Sequence, residues 1–353
     1  MELEILDDTI RRELALQRFA SFLVRQYIRP TAQELALEIP RALAGYEDLP
    51  RAEQFKVFAK LKRLVRERWK AMWDPITGQL GDVAIQELEY MADLYDDVIA
   101  GVRNPGGRIV VPEMVLGDGN LIRAGKWAEF IAGNADETAQ RIDGRIKRMW
   151  REGGTLNDIL YQLRGKYNRR TKAYEGGIIE GQVKKATTLA RTGVSHYTAA
   201  ARDKFANANR EYISDRIFFA TLDGSTTDIC LGNHLNRYPI TSDEYPRLPL
   251  HYNERSVYIF AGKGFDPLDG DRPSKGANGS EEISAKTTAA AWLKRQPREW
   301  VERQLGKTRA ALFLDGGLPL NKFLDAANVP LTLKQLAETI PGQRAFRRAN
   351  LGL

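Results

Sequence analysis

The spacing of apolar residues near the start of the chain constrains the fold most. Leu16, Phe19, Leu23 and Tyr27 recur every three or four positions, which places them on one face of an amphipathic helix. Pro30 disfavours helical backbone in the residue before it, so this helix is expected to stop there. The sequence therefore predicts an α-helical layer rather than a sheet at this end of the chain.

Further helices are expected along the same stretch. Thr31 and Glu34 have the spacing of a capping box and predict the start of a second helix, which ends near Pro40 or soon after. Apolar residues at helical spacing predict a third helix over 50–72 and a fourth over 83–99.

A glycine- and proline-rich break follows over residues 101–122. Within it, Ile109–Val111 predicts a short strand or hairpin. Later, Thr155 is a plausible N-cap, and residues 216–220 and 256–260 are strand-like.

These patterns predict a mainly α protein with five consecutive segments. The predicted segments are a helical N-terminal domain with a short β or loop end (1–122), a basic helical segment (123–185), a small α+β module (186–260), an irregular linker (261–288) and a helical, basic C-terminal extension (289–353).

The positive charge is concentrated in two stretches. Residues 123–185 carry 14 basic and 8 acidic side chains, and residues 292–349 carry 11 and 5, against +7 for the whole chain. A basic excess of this kind fits contact with a polyanion, and it also fits ordinary solvated helix faces.

Several function classes lack their sequence signatures. The chain contains neither a glycine-rich phosphate-binding loop nor the nucleophile elbow of hydrolases nor the paired-histidine helix of zinc proteases. Cys230 is the single cysteine, so no internal disulfide is available and a reducing compartment is expected. No apolar run approaches the length of a membrane span, so no membrane partner is expected.

Chemistry-bearing residues gather in the turn-rich part of the α+β module. Cys230, His234 and His251 offer metal-ligand chemistry, with Asp223 as a fourth donor. The alternative is a buried cysteine with histidines that brace loops through hydrogen bonds. A third reading is a nuclease built around His251 and neighbouring polar residues, although a paired metal ligand is missing at that spacing.

The same residues resemble a known family, the phage Mu F-like minor head proteins, also described as phage head morphogenesis proteins. The family pattern is D-x-R-T-x-x-x-C followed by P-x-H-x-x-C-R-[SC]. A second block, from Trp292 to Leu336, resembles the C-terminal extension of some tailed-phage head proteins. The matching motif positions, which the resemblance assigns a structural role, are Asp223, Thr226, Cys230, Pro249, His251 and Arg255.

The chain departs from the family pattern at three informative positions. Ser225 replaces an arginine, and Thr227 and Glu254 stand where some members carry cysteines of a zinc-binding set. Only Cys230 and His251 of that set remain, so no bound metal or other cofactor is expected. The module is instead expected to be held by packing and by hydrogen bonds of Asp223 and Arg255.

The resemblance implies a non-enzymatic structural protein inside the capsid of a tailed bacteriophage, near the portal. Its implied role is in head morphogenesis, with DNA packaging or ejection as further roles, and it passes through the host cytoplasm during assembly. Expected partners are the portal protein, the major capsid protein or both, together with packaged DNA bound without sequence specificity, and several copies are expected in each particle. A metal-dependent nuclease or toxin-like enzyme is the alternative. The residues expected to face DNA are Arg295, Arg298, Arg303, Lys307, Arg309, Arg344, Arg347 and Arg348.

Overall fold

The computed structural model describes residues 4–118, 121–262 and 264–352. Helices account for 58% and strands for 14%, with the strands confined to small sheets, which confirms the prediction of a mainly α protein. None of the helices in these ranges combines the length and apolar composition that a bilayer crossing requires.

The helices vary widely in length. They are α1 (Glu4–Leu23), α2 (Arg29–Ala42), α3 (Arg51–Ala71), α4 (Trp73–Asp96), α5 (Trp127–Arg151), α6 (Leu156–Arg164), α7 (Ile178–Ala208), α8 (Asp228–Asn233), α9 (Ala289–Lys294), α10 (Arg298–Leu305), α11 (Lys307–Leu314), α12 (Leu333–Glu338) and α13 (Ile340–Arg348). The strands are β1 (Met114–Asp118), β2 (Leu121–Gly125), β3 (Gly165–Asn168), β4 (Ala173–Gly176), β5 (Ile213–Phe219), β6 (Arg237–Pro239), β7 (Val257–Gly262), β8 (Asp271–Gly276) and β9 (Gly279–Ser284).

The chain divides into two compact units, each assembled from segments that are distant in sequence. The first unit comprises Met1–Leu14, Ala84–Ala124 and Ser195–Leu353, and the second comprises Ala15–Val83 and Gly125–Val194. This division differs from the five consecutive segments predicted from the sequence. Helical periodicity identifies helices but carries no information about which distant helix each one packs against.

Helical backbone in the second unit continues past the predicted stop at Pro30. A π-helical turn, Val24–Ile28, leads directly into α2, and Pro30 lies in the first turn of α2, where a missing N–H is tolerated. The N–H of Arg29 donates to the carbonyl of Val24. The predicted helix start at Thr31 is therefore wrong, whereas α3 closely matches the predicted third helix and Thr155 is the N-cap of α6 as predicted.

Aromatic side chains form the core of the second unit. The Trp69 indole N–H donates to the Asn134 side chain at 2.8 Å, which joins α3 to α5. The ring of Trp73 meets that of Trp127 edge-on. Apolar residues on the inner faces of α3 and α5 thus explain why these helices pack together.

The first unit contains a three-stranded antiparallel sheet in the order β6-β5-β7. Ile217 and Ile259 face each other across β5 and β7, and both are fully buried. The strands predicted over 216–220 and 256–260 are confirmed with small shifts of their ends. The strand or hairpin predicted in the 101–122 break is placed wrongly at Ile109–Val111. Its strands are β1, which begins at Met114, and β2, which pairs with it.

The predicted irregular linker contains an ordered β-hairpin. Strands β8 and β9 pair from Asp271 with Ser284 to Gly276 with Gly279. The N–H of Lys275 donates to the carbonyl of Leu222 at 2.9 Å, which attaches the hairpin to the motif segment. Polar strands of this kind were missed because alternation of apolar and polar residues, the usual strand signal, is weak there.

The predicted C-terminal extension shares one core with the α+β module. Leu222 and Leu231 of the module lie in the same buried cluster as Trp292, Val301 and Phe313. Residues 289–352 therefore do not form a separate domain.

Candidate functional site

Asp223 and Arg255 hold the motif segment together through a two-pronged ion pair. The guanidinium donates to both carboxylate oxygens of Asp223, at 2.6 and 2.8 Å. The same carboxylate accepts the N–H of Ser225 at 2.8 Å. Burial opposes ionisation of Asp223, but the bonds from Arg255 and Ser225 outweigh it and lower the pKa of that carboxyl. Asp223 and Arg255 thus make the kind of hydrogen bonds expected of them from the sequence.

Thr226 connects the motif segment to its surroundings. Its hydroxyl donates to the carbonyl of Thr221 and accepts the N–H of Asp223. Its carbonyl accepts from the side chain of Gln304 on α10. Thr226 is therefore a structural contact between the motif and the C-terminal helices.

A second cluster brings together Cys230, His251 and Glu254, with Thr227 beside them. The Nε2 atom of His251 lies 3.0 Å from the Cys230 Sγ, 3.1 Å from the Glu254 Oε2 and 3.0 Å from the Thr227 hydroxyl. Thr227 is the N-cap of α8, which positions Cys230 one turn along that short helix. The cluster is almost fully enclosed, since Cys230 and Glu254 are buried.

The environment of Cys230 favours a neutral thiol. Burial raises the pKa of Cys230 well above its usual value, and the carboxylate of Glu254 raises it further. Glu254 accepts the backbone N–H groups of Arg255 and Ser256 at 3.0 and 2.8 Å, which satisfies its buried charge. A nucleophilic cysteine needs the opposite environment, exposed and electropositive. The thiol is thus a hydrogen-bonding group in this cluster.

Of the four metal ligands predicted from the sequence, the structure brings only Cys230 and His251 together. One ligand atom each from Cys230, His251 and Glu254 all lie within 4.8 Å of one another, whereas Asp223 is engaged by Arg255 and His234 lies in a different contact. A sulfur, a nitrogen and a carboxylate oxygen are donors that Zn²⁺ accepts, and three protein ligands are typical of open zinc sites. The family pattern has a cysteine at position 254, so Glu254 is not predicted as a metal ligand from the sequence, although a carboxylate can bind zinc.

His234 is a buried structural histidine. Its Nδ1 accepts the N–H of Ala220 at 3.2 Å, and its Nε2 lies 3.3 Å from the carbonyl of Thr287, so both ring nitrogens are used. Burial lowers the pKa of His234 to about 3, and the positive charge of Arg272 adds to the effect.

We expect His234 to make the protein less stable in mild acid. Below pH 6.5, the usual pKa of histidine, the unfolded chain binds a proton that the folded chain does not bind. The free energy of unfolding therefore decreases by about 1.4 kcal/mol for each pH unit by which the pH is lowered, down to about pH 3. In His234→Asn, whose Oδ1 replaces the accepting nitrogen, the slope of unfolding free energy against pH should drop by that amount. Urea titrations between pH 4.5 and 7 measure it; an unchanged slope contradicts the assignment.

A double-mutant cycle tests the fork between Asp223 and Arg255. Arg255→Ala should lower the free energy of unfolding by about 2 kcal/mol, because a partly buried charge-assisted pair is lost. Arg255→Lys should recover only part of this, since an ammonium group cannot reproduce the fork. The double variant Asp223→Ala with Arg255→Ala should cost less than the two single changes added together. Strict additivity in chemical denaturation would contradict a braced pair.

Pro249 is the remaining motif position. It follows a cis peptide bond after Leu248, and the next carbonyl, that of Leu250, accepts the N–H of Gly117 at 2.7 Å. The stretch that delivers His251 to the cluster is thereby tied to β1.

The large cleft of the first unit does not expose the motif chemistry. It has a volume of about 830 Å³, and its lining includes Ile229, Asn233 and Tyr238. Of the residues that the structure describes, neither Asp223 nor His234 nor His251 lines this cleft.

The side chains expected to face DNA fall into three groups. Arg309 is instead bound within the chain, to the carboxylate of Asp228 and the carbonyl of Leu331, which corrects its assignment. Arg298 is exposed but paired with Asp315. The exposed remainder consists of Arg295, Arg303, Lys307, Arg344, Arg347 and Arg348.

Comparison with known proteins gave no match: neither a family model, nor a curated protein, nor a solved structure corresponds to this chain.

Proposed function

We propose that this chain is a minor head protein of a tailed bacteriophage, located inside the capsid near the portal and acting in head morphogenesis. The observation that carries the proposal is the bracing of the motif positions. Asp223 and Arg255 form a fork, and Cys230 and His251 lie at hydrogen-bond distance. Polar side chains whose hydrogen-bonding groups are already paired with one another suit a structural module better than a site that binds and converts a substrate.

The proposed partners follow from the same reading. Portal or major capsid protein would contact the folded units, and packaged DNA would lie against the exposed basic side chains of the C-terminal helices. Such DNA contacts are independent of sequence and weaken with salt. Several copies in each particle are expected.

Purified particles provide the direct test. The polypeptide should be present at a few copies per capsid and absent from particles of a phage deleted for its gene, which should show defective heads. A chain found in infected cells but never in particles would contradict the proposal.

A metal-dependent nuclease is the second candidate, favoured by the convergence of Cys230, His251 and Glu254. Plasmid nicking with added Zn²⁺, Mg²⁺ or Mn²⁺ tests it, with His251→Ala as the loss variant. His196→Ala is the matched control, because His196 is buried elsewhere with its Nε2 near the carbonyl of Pro112. Nicking that is lost only in His251→Ala would favour the enzyme and overturn the structural reading.

A further inference from the structure

A basic groove lies between α5 and α7 in the second unit. Its volume is about 480 Å³. The lining residues are Arg141, Gly144, Arg145, Arg148, Ile178, Gly181, Gln182 and Lys185.

The charge in this groove is only partly neutralised within the chain. Glu137 is shared by two cations, since it accepts from Arg141 at 2.8 Å and also from Lys185. Arg145 contacts the neutral side chain of Gln162. Arg148 is exposed. Four cations against one shared carboxylate leave a local excess of positive charge that favours an anionic ligand.

The arginines form a row along α5. Arg141, Arg145 and Arg148 are spaced by four and three residues, which places them on one helix face, about 6 and about 4.5 Å apart along the axis. A row of guanidinium groups along one helix face can contact several phosphates of one nucleic acid strand. Guanidinium also pairs with phosphate oxygens through two parallel hydrogen bonds.

Two glycines keep the groove open. Gly144 in α5 and Gly181 in α7 are both exposed, and a Cβ added at either would meet no atom within 4 Å. Packing of the chain therefore does not require glycine at these positions. Glycine also weakens a helix interior, so neither packing nor helix stability explains why glycine is present. A side chain at either position would project into the groove, so the glycines leave space for a ligand.

We propose that this groove binds the sugar-phosphate backbone of DNA without regard to sequence. The choice of DNA among polyanions rests on the proposed function, whereas the anion-binding character of the groove rests on its geometry alone. A second DNA contact, in the other unit from the C-terminal arginines, would let one chain hold the packaged genome at two places.

Fluorescence anisotropy with a labelled 20-base-pair duplex tests the groove in the full-length protein. Arg145→Gln with Arg148→Gln should weaken binding about tenfold at low salt and reduce the slope of log K against log salt by about 2. Gly144→Leu should weaken binding similarly by filling the groove, without removing charge. The matched controls are Lys60→Gln with Arg63→Gln on exposed positions of α3, and Gly78→Leu, an equally open helical glycine in α4.

Each result decides one point. Loss of binding in both groove variants with unchanged controls supports the groove. Unchanged binding in both overturns it, as does displacement of DNA by poly-glutamate as effectively as by unlabelled duplex, since phosphate would then not be recognised. A chain that binds DNA through the groove but is absent from particles contradicts the proposed function and leaves the groove standing.

Discussion

Replacing Trp292 by alanine should lower the free energy of unfolding by about 3 to 5 kcal/mol, the range expected when a fully buried aromatic side chain is removed. The Trp292 side chain is fully buried in a cluster that includes Leu222 and Leu231 of the motif module. Its removal would leave a cavity beneath α9 that neighbouring side chains cannot fill. The module and the C-terminal helices should unfold in one transition, because they share this core.

Chemical denaturation followed by circular dichroism measures the loss. Trp300→Ala serves as the matched control, since Trp300 packs edge-on against Trp292 but is only partly buried and should cost clearly less. A cost for Trp292→Ala below about 1 kcal/mol, or a separate transition for residues 289–352, would contradict a shared core.

Helices, caps and strands could be predicted from the sequence where they depend on residues that are neighbours along the chain. Helix α3, the N-cap at Thr155 and strand β5 each follow from periodicity or capping chemistry within one stretch. Pro30 predicts the wrong helix boundary because it lies in the first turn of α2, where its missing N–H is tolerated, directly after a π-helical turn that no residue pattern indicates.

The packing of segments that are distant along the chain could not be predicted from the sequence, because it depends on which surfaces meet in the folded protein. The hairpin of β8 and β9 is stabilised partly by backbone pairing with the motif segment at Lys275, not by a strong apolar pattern of its own. In the candidate site, the fork of Arg255 could be predicted from residue chemistry and the family resemblance. The approach of Glu254 to Cys230 could not, since it requires the turn after His251 to fold back onto α8.

A buried ion network joins the three chain segments of the first unit. Arg202 on α7 donates to Glu87 on α4 at 2.7 Å and to Glu13 on α1 at 2.6 Å. Arg12 reaches the other oxygen of Glu87 at 2.7 Å. The side chain of Glu87 is 0% exposed and that of Arg202 is 5% exposed, so water cannot replace a missing partner.

Arg202→Met should therefore destabilise the protein by about 3 to 5 kcal/mol, because it leaves two carboxylates facing each other with a single cation nearby. Arg11→Met, at a site where the side chain is 74% exposed, should change stability by no more than about 0.5 kcal/mol. The combined variant Arg202→Met with Glu87→Met should recover part of the loss, since the fully buried carboxylate of Glu87 is removed together with Arg202, whereas Glu13 and Arg12 each lose one partner. Urea denaturation of the three variants measures these differences. A combined variant as unstable as Arg202→Met would contradict the claim that the Glu87 carboxylate, left without Arg202, causes the loss.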